Sequence, residues 1–504
     1  MSIEHELEQR AVFLSENPKI KEYRDKQFSR TWIEEPFDLV VAGDLMLTRK
    51  LSDKTRPDVK EVIDVLKNSD CAVTNLESNL ADFHNDEHIG GLQGEDDLCR
   101  EVKDMGFDMV CHASNWATNQ GTEVMLQVND KMRAAGVVVA GAGRDLEDAR
   151  APQFFDTPKG RVGLVAMVPN QALQSPGGSL SAAGGMIGAT YGANHRSGMP
   201  GMNILRVSPK YVLGPEEFAA VKAVKKAQTD NDKTLCAEAG FPYEKHPSPQ
   251  TWKGQHEPLE HDPSVQTVKL GGTTFQLGEK TGDVEFDINQ DDYRNIMRAC
   301  RLGKEWSDLM VFATHNGGGP ATTASVYNYN NPKPSSFMVK LAHDAIDNGA
   351  DVFLGHGPHS LLGIEIYKGR PIFYGLNSCV YQIWGCPTGP DRYTDNYLNQ
   401  FYSETTEAEF DIAYWGMSML FDNEAHQRAN ESVIPELKYD KGALKEIILH
   451  PITFGCGREP MSQIGNPFMA NDEQGISILK RMQYYSEQLG CKIDIEGYKG
   501  IIRL

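Results

Sequence analysis

The feature that most limits the fold of this chain is a repeated unit: an amphipathic helix, a glycine, then a short apolar run that ends on a polar side chain. "PDVKEVIDVLKN" (57–68) places Val59, Val62, Ile63 and Leu66 on one helical face, with Pro57 suited to the first turn, and leads into "CAVTNLES". "DLCREVKDMG" closes on Gly106 before "FDMVCHASN", and "EVMLQVNDKMRAAG" closes on Gly136 before "VVVAGAG". Much later "SFMVKLAHDAIDNG" closes on Gly349 before "ADVFLGHGPH". A glycine just past a helix takes the left-handed conformation that ends it. Two further apolar runs, "RVGLVAMV" and "SDLMVFATH", lie between these blocks, and "GIEIYKGRPIFYGL" reads as a hairpin turning at Lys368-Gly369. Helices alternating with strands this apolar specify an α/β architecture with a largely buried sheet.

The stretches between the units read differently. Residues 170–201, with "SPGGSLSAAGGMIGATYGANHRSGMPG", are too rich in glycine and small residues for a regular element. Residues 240–290 are polar, with weak strand signals in "TTFQLG" and "DVEFDI". The expected organisation is a helical extension over 1–36, a core from 37–170 and 300–380, an insertion over 171–299, and a C-terminal region, 381–504, packed on the core. The start, "MSIEHELEQRAVFLSENPKIKEY", is charged throughout and carries no signal-peptide pattern, and no run is apolar enough to span a bilayer. The nine cysteines show no CxxC pair, which fits a reducing cytoplasm. A net charge of -20 argues against nucleic acid and against an anionic membrane surface as partners. The expected partners are a small-molecule or polymeric substrate and, at most, further copies of the chain.

What stands at the strand ends carries the chemistry. Asp44 follows "DLVVAG", Asn75 and Glu77 follow "CAVT", Asn115 follows "FDMVCHAS", His315 ends "LMVFAT", and His356 and His359 follow "DVFLG". In an open α/β sheet, groups at the carboxyl ends of the strands converge on one ligand site. Carboxylates, imidazoles and an amide together suit a divalent ion such as Mn, Fe or Zn. Singly, each has a commoner reading: Asp44 as a cap, His315 as a hydrogen-bonded core histidine, Asn75 and Asn115 as turn residues. The histidine pair and the recurrence at five strand ends favour the metal.

The stretches "VVAGDLMLTR", "AVTNLES", "SNWATNQG", "ATHNGG" and "GADVFLGHGPHSLLGIEIYKGRPIFYGLNS" resemble, in order, the motif series of the CapA family, the poly-γ-glutamate capsule biosynthesis proteins. The resemblance covers residues 37–170 and 300–380. It implies a four-layer α/β sandwich like that of the calcineurin-like metallophosphoesterases, with the insertion shaping the substrate site. It also implies two divalent ions. Asp44 resembles the first-strand metal aspartate and Glu77 the bridging carboxylate, with His359 beside Asp44 on one ion. Asn115, His315 and His356 would lean to the other.

The departures matter too. The family's acid histidine after the amide ligand is Trp116 here, the acidic position beyond it is Asn119, and the middle of "GHHPH" is Gly357. A poor leaving group needs a proton, so the loss of that histidine weighs against plain phosphoester hydrolysis. His195 is the candidate to replace it, with Arg196 beside it for anion recognition. Arg49 is a candidate anion clamp, with a surface salt bridge as its alternative role. His112 reads as core. The expected function is therefore a metal-dependent hydrolase acting on an amide, γ-glutamyl-type or ester bond of an anionic substrate. The alternatives are a phosphodiesterase or phosphatase, a non-catalytic accessory protein of poly-γ-glutamate synthesis, and a binding protein with a decayed site.

Overall fold

The computed structural model describes residues 3–51, 53–81, 93–94, 96–169, 188–190, 198–240, 243, 266–271, 273–316, 333–382, 430–456, 458–460 and 462–504. They fall into two compact units, one of residues 3–204 with 294–504, the other of residues 205–293.

Two large sheets build the first unit. One is ten-stranded, in the order Asp494–Glu496, Lys499–Arg503, Ala443–Thr453, Glu431–Asp440, Phe37–Met46, Cys71–Leu76, Met109–Cys111 and Val138–Ala140. Ser378–Tyr381 and Phe468–Met469 join it off this path. The other is seven-stranded, with Gly160–Pro169, Leu309–His315, Val352–His356 and Arg370–Phe373 as parallel neighbours. Ile364–Tyr367 returns antiparallel on Arg370–Phe373, and Lys368 and Gly369 both take positive φ in the turn, as a two-residue hairpin with right-handed strand twist requires.

The period-two alternation of the strands decides what lies between the layers. Leu39, Val41, Val73, Met109 and Cys111 meet Leu164, Val311, Ala313 and Leu354 of the opposite sheet in one core. Val40, Ala42, Ala72 and Val110 point the other way, under the helices Pro57–Lys67 and Leu98–Met105. On the far side, helix Ser336–Asp347 buries Phe337, Leu341 and Ala345, while Phe312 and Phe353 stack with centroids 5.7 Å apart. The result is a helix–sheet–sheet–helix sandwich of four layers. Each large apolar side chain so buried contributes about 1.5–3 kcal/mol.

Strands from residues 431–503 join the ten-stranded sheet. Glu431–Asp440 pairs antiparallel with Phe37–Val40 and makes a long hairpin with Ala443–Thr453. Its alternation is interrupted by prolines and polar residues, which hid these strands from a reading by period alone.

The second unit runs from Leu205 to Tyr293. It holds a four-stranded sheet in the order Thr267–Leu270, Thr273–Leu277, Val207–Leu213, Val284–Ile288, and the helix Pro215–Glu238. The weak signals "TTFQL" and "VEFDI" are two of its strands. Lys210 and Asp287 form a buried ion pair across it at 2.8 Å.

One buried charge ties the outer helix layer to the second sheet. Lys304 is fully buried; its Nζ donates to Asp351 Oδ2 at 2.8 Å and to the carbonyls of Arg30 and Asp308. Asp351 Oδ2 also accepts from the Met310 N–H. Lys304→Ala takes from Asp351 its nearer cation and leaves Arg370 Nε at 3.3 Å, so it is expected to cost about 1–3 kcal/mol. Urea denaturation checks this, and a loss below about 1 kcal/mol contradicts the pairing.

Candidate metal centre

The first strand changes neighbours where its functional side chain stands. Phe37–Val40 pairs with Glu431–Asp440, whereas Asp44–Met46 runs parallel to Ser378–Tyr381. The register against Cys71–Leu76 shifts between Val41 and Asp44. Such an irregularity re-aims a side chain. Gly43 is required here because a Cβ would lie 2.1 Å from the Asn377 carbonyl oxygen, the group that accepts the Asp44 N–H at 2.9 Å. Asp44 is thus held at the strand's end with no solvent exposure.

Neighbouring strand ends bring the other groups in. Asn75 Nδ2 donates to Asp44 Oδ1 at 2.9 Å and lies 3.0 Å from His315 Nδ1. His315 Nε2 stands 2.7 Å from Asn115 Oδ1. The same ring lies 3.4 Å from Asp44 Oδ1 through Nδ1 and 3.5 Å from Glu77 Oε1 through Nε2. His359 approaches both carboxylates as well, with Nδ1 3.7 Å from Asp44 and Nε2 3.7 Å from Glu77. The Gly357 N–H donates to Asp44 Oδ2 at 3.0 Å. Ligand atoms of Asp44, Glu77 and His359 lie within 4.8 Å of one another. His356 is buried, with Nε2 3.1 Å from the Ala42 carbonyl and Nδ1 without a partner. Asp44, Glu77, Asn115, His315 and His359 are therefore gathered in one contact network, and His356 stands at its edge.

His359 sits at φ 46, after Gly357 at φ 96. A non-glycine residue in the left-handed region costs energy and persists where the surroundings hold it, most often at functional sites.

The electrostatics are those of a carboxylate pair in which Asp44 has partners and Glu77 has none. Both oxygens of Glu77 are buried without a hydrogen-bond partner. Burial and the neighbouring Asp44 charge push its carboxyl well above the usual range; the Trp116 indole, which satisfies neither oxygen, pulls the other way. Burial also acts to raise Asp44, but the hydrogen bond to His315 and the three imidazoles outweigh it and bring its carboxyl down to about 2. Burial pushes His356 and His359 down to about 4, against the pull of Asp44. Neutral imidazoles beside carboxylates are the state in which such groups bind metal.

Other expected residues have different surroundings. Arg49 lies beyond the first strand; its Nη2 donates to the Ile464 carbonyl at 2.6 Å and its backbone N–H to Gln382 Oε1. His195 and Arg196 lie outside the described residues. Trp116 packs on the outer-face core. His112 is core, with Nδ1 2.7 Å from Asn129 Oδ1 and its imidazole lowered by burial to about 4. Asn75 is a strand residue, not a turn. Glu77 follows directly after that strand's end. Ser78, Ser114, Asn119 and Asn316 also carry buried polar atoms without partners. Unpaired buried polar groups in such number around one site mark a place built to receive something polar.

Residues 38–382 match the family described as bacterial capsule synthesis protein PGA_cap. The uncharacterized proteins y4sH and y4uA of Sinorhizobium fredii are each 29% identical over 489 residues, covering 94% of this chain and 94% of their own length. The capsule biosynthesis protein CapA of Bacillus anthracis is 35% identical over 109 residues, 22% of this chain and 23% of that protein.

Two outcomes are expected from this geometry. With chelator present, His359→Gly is more stable than His359→Ala by about 1 kcal/mol, because only the alanine carries left-handed strain; equal unfolding midpoints would contradict that backbone. His112 accepts a proton near 6.5 when unfolded and only near 4 when folded. Its depressed value means that the stability it supports is full above 6.5 and falls away as pH drops towards 4. The advantage of the parent over His112→Gln should shrink across that window, and a constant advantage contradicts the burial.

Proposed function

Since the chain belongs to the bacterial capsule synthesis protein PGA_cap family, we propose that it is a metal-dependent hydrolase of an anionic, capsule-type polymer or its fragments. The bond cleaved is an amide, peptide-like γ-glutamyl-type bond or an ester. The observation that carries this reading is Glu77, whose two oxygens are buried and unpartnered next to Asp44 and His359. A buried carboxylate is expensive unless it is paired or coordinates a metal. The donor set of two carboxylates, imidazoles and carboxamide oxygen fits a divalent ion of the Mn, Fe or Zn type.

Asp44, Glu77 and His359 would hold one ion; Asn115, His315 and His356 are the further donors for a second. When bound, such an ion supplies Lewis acidity, lowering the pKa of water and polarising the scissile group. The chain's own residues do the rest. The Gly357 N–H and the Asn75 amide fix the Asp44 carboxylate from its two oxygens. The two sheets exclude bulk water, which strengthens every electrostatic contact inside. The Trp116 indole N–H is far too weak an acid to stand in for a histidine that would protonate a leaving oxygen, and that supports acyl over phosphoryl chemistry. The four-layer fold favours phosphodiester hydrolysis as a second reading.

Elemental analysis after growth with Mn, Fe and Zn tests the proposal. The parent should retain metal, and His356→Ala and His359→Ala should lose it. His359→Ala should also lose more hydrolytic activity on a γ-glutamyl amide than the roughly 10–100-fold that removal of an outer partner costs. Parent-like metal content in both variants would sink the assignment. Faster turnover of a nitrophenyl phosphate diester than of the amide would turn the reading to the phosphodiesterase.

A further inference from the structure

Among the described residues, three side chains with two polar atoms have both of them buried and without a hydrogen-bond partner: Glu77, Asn119 and Asn316. All three stand in segments that carry proposed metal donors. Asn316 follows His315 directly, and its backbone N–H donates to the His356 carbonyl at 2.8 Å, so its backbone is held against the strand that carries His356. Asn119 lies four residues past Asn115, in a run of tight turns where its N–H donates to the Trp116 carbonyl at 3.1 Å. The same carbonyl accepts from Asn79 Nδ2 at 2.7 Å, which ties these turns to the segment just past Glu77. Both asparagines are only 1% exposed.

The two kinds of group call for different partners. A bare carboxylate needs positive charge, which the proposed ion would supply. A carboxamide is neutral and presents one acceptor oxygen and two N–H donors, so its match is a neutral group that both gives and takes a proton in hydrogen bonds. Burying an amide with neither end bonded costs free energy, and buried amides are nearly always hydrogen-bonded in folded proteins. We infer that Asn119 and Asn316 recognise the amide group of the substrate, with Nδ2 donating to its carbonyl oxygen and Oδ1 accepting its N–H. The inference rests on the hydrolase reading and narrows it from an amide or ester to an amide. An ester or a phosphodiester brings no N–H and would leave an Oδ1 buried and unpaired. A site built to bond a substrate N–H rejects the analogue that lacks it.

Leucine has the branched shape of asparagine without its polar atoms, which makes it the test. In the full-length chain with chelator present, Asn316→Leu and Asn119→Leu should each unfold at a higher temperature than the parent, by about 1–3 °C, because each removes an amide that the free protein leaves unsatisfied. With Mn or Zn restored, each should lower kcat/KM on a γ-glutamyl amide by about 10–100-fold and leave that on the matching γ-glutamyl ester near the parent's. An unfolding temperature at or below the parent's means that the amide is bonded within the protein or to a held water. An equal loss on amide and ester means that the side chain only supports the fold. Either result overturns the assignment of that residue. Where a leucine variant does not fold, the alanine variant at that position is judged on the amide-to-ester ratio alone. A parent that cleaves neither substrate overturns the hydrolase reading and the recognition of its amide with it, while the unfolding temperatures still decide whether the two side chains are unsatisfied.

Discussion

The structure turns on the burial of Asp44 and Glu77 within contact of the same two imidazoles. Two carboxylates removed from water and left close together repel each other and lose their hydration, a cost several times the net stability of an ordinary domain interaction. The chain answers part of that cost with its own groups. Asp44 receives an amide N–H and a backbone N–H, one on each oxygen. Glu77 receives none. The asymmetry leaves both Glu77 oxygens without a protein donor, the place where the proposed ion would bind.

The surrounding fold supplies the rigidity this demands. Asp44 stands where its strand exchanges one partner strand for another, so its backbone is fixed from both sides. The close approach of Asn377 to Gly43 is what allows the exchange. His359 is held in a left-handed conformation by a similar over-determination, between the second sheet and Tyr381, whose ring meets it edge-on at 6.0 Å. Sites built at the carboxyl ends of neighbouring strands gain precision because each donor sits on an element already locked by its own ladder.

Much of this was legible in the sequence, for definite reasons. The helix–glycine–strand unit is a strong local signal because left-handed glycines and a 3.6-residue apolar period act together; Gly106, Gly136 and Gly349 all take positive φ where the pattern places them. The gathering of Asp44, Glu77, Asn115, His315 and His359 follows from their common position at strand ends. Asn75 was weighed as a turn residue because asparagine's local preference points that way, and only the two partners supplied by distant strands override it. The C-terminal strands were hidden for the same kind of reason. Their pairing with Phe37–Val40 spans almost the whole chain, and "ESVIPELKYD" carries a proline and charges inside the strand. One guanidinium contact of Arg49, to the Ile464 carbonyl 415 residues away, is of a kind that sequence neighbours do not reveal.

The charge of the donor set bears on the substrate. Imidazoles ligate as neutral rings and carboxamides carry no charge, so Asp44 and Glu77 give the centre two negative charges in all. One divalent ion would neutralise them and leave a site suited to a neutral amide. Two ions would leave a net charge of plus two in a dry enclosure, which needs an anion to balance it. A polymer of γ-linked glutamate provides both features in one molecule, a neutral bond to be cleaved and carboxylates on either side of it. A phosphodiester offers only one charge, at the reacting atom itself, and asks for a leaving-group proton at the position where this chain has Trp116. On the function proposed above, either ion count and the residue at 116 fit an acyl bond flanked by negative charge.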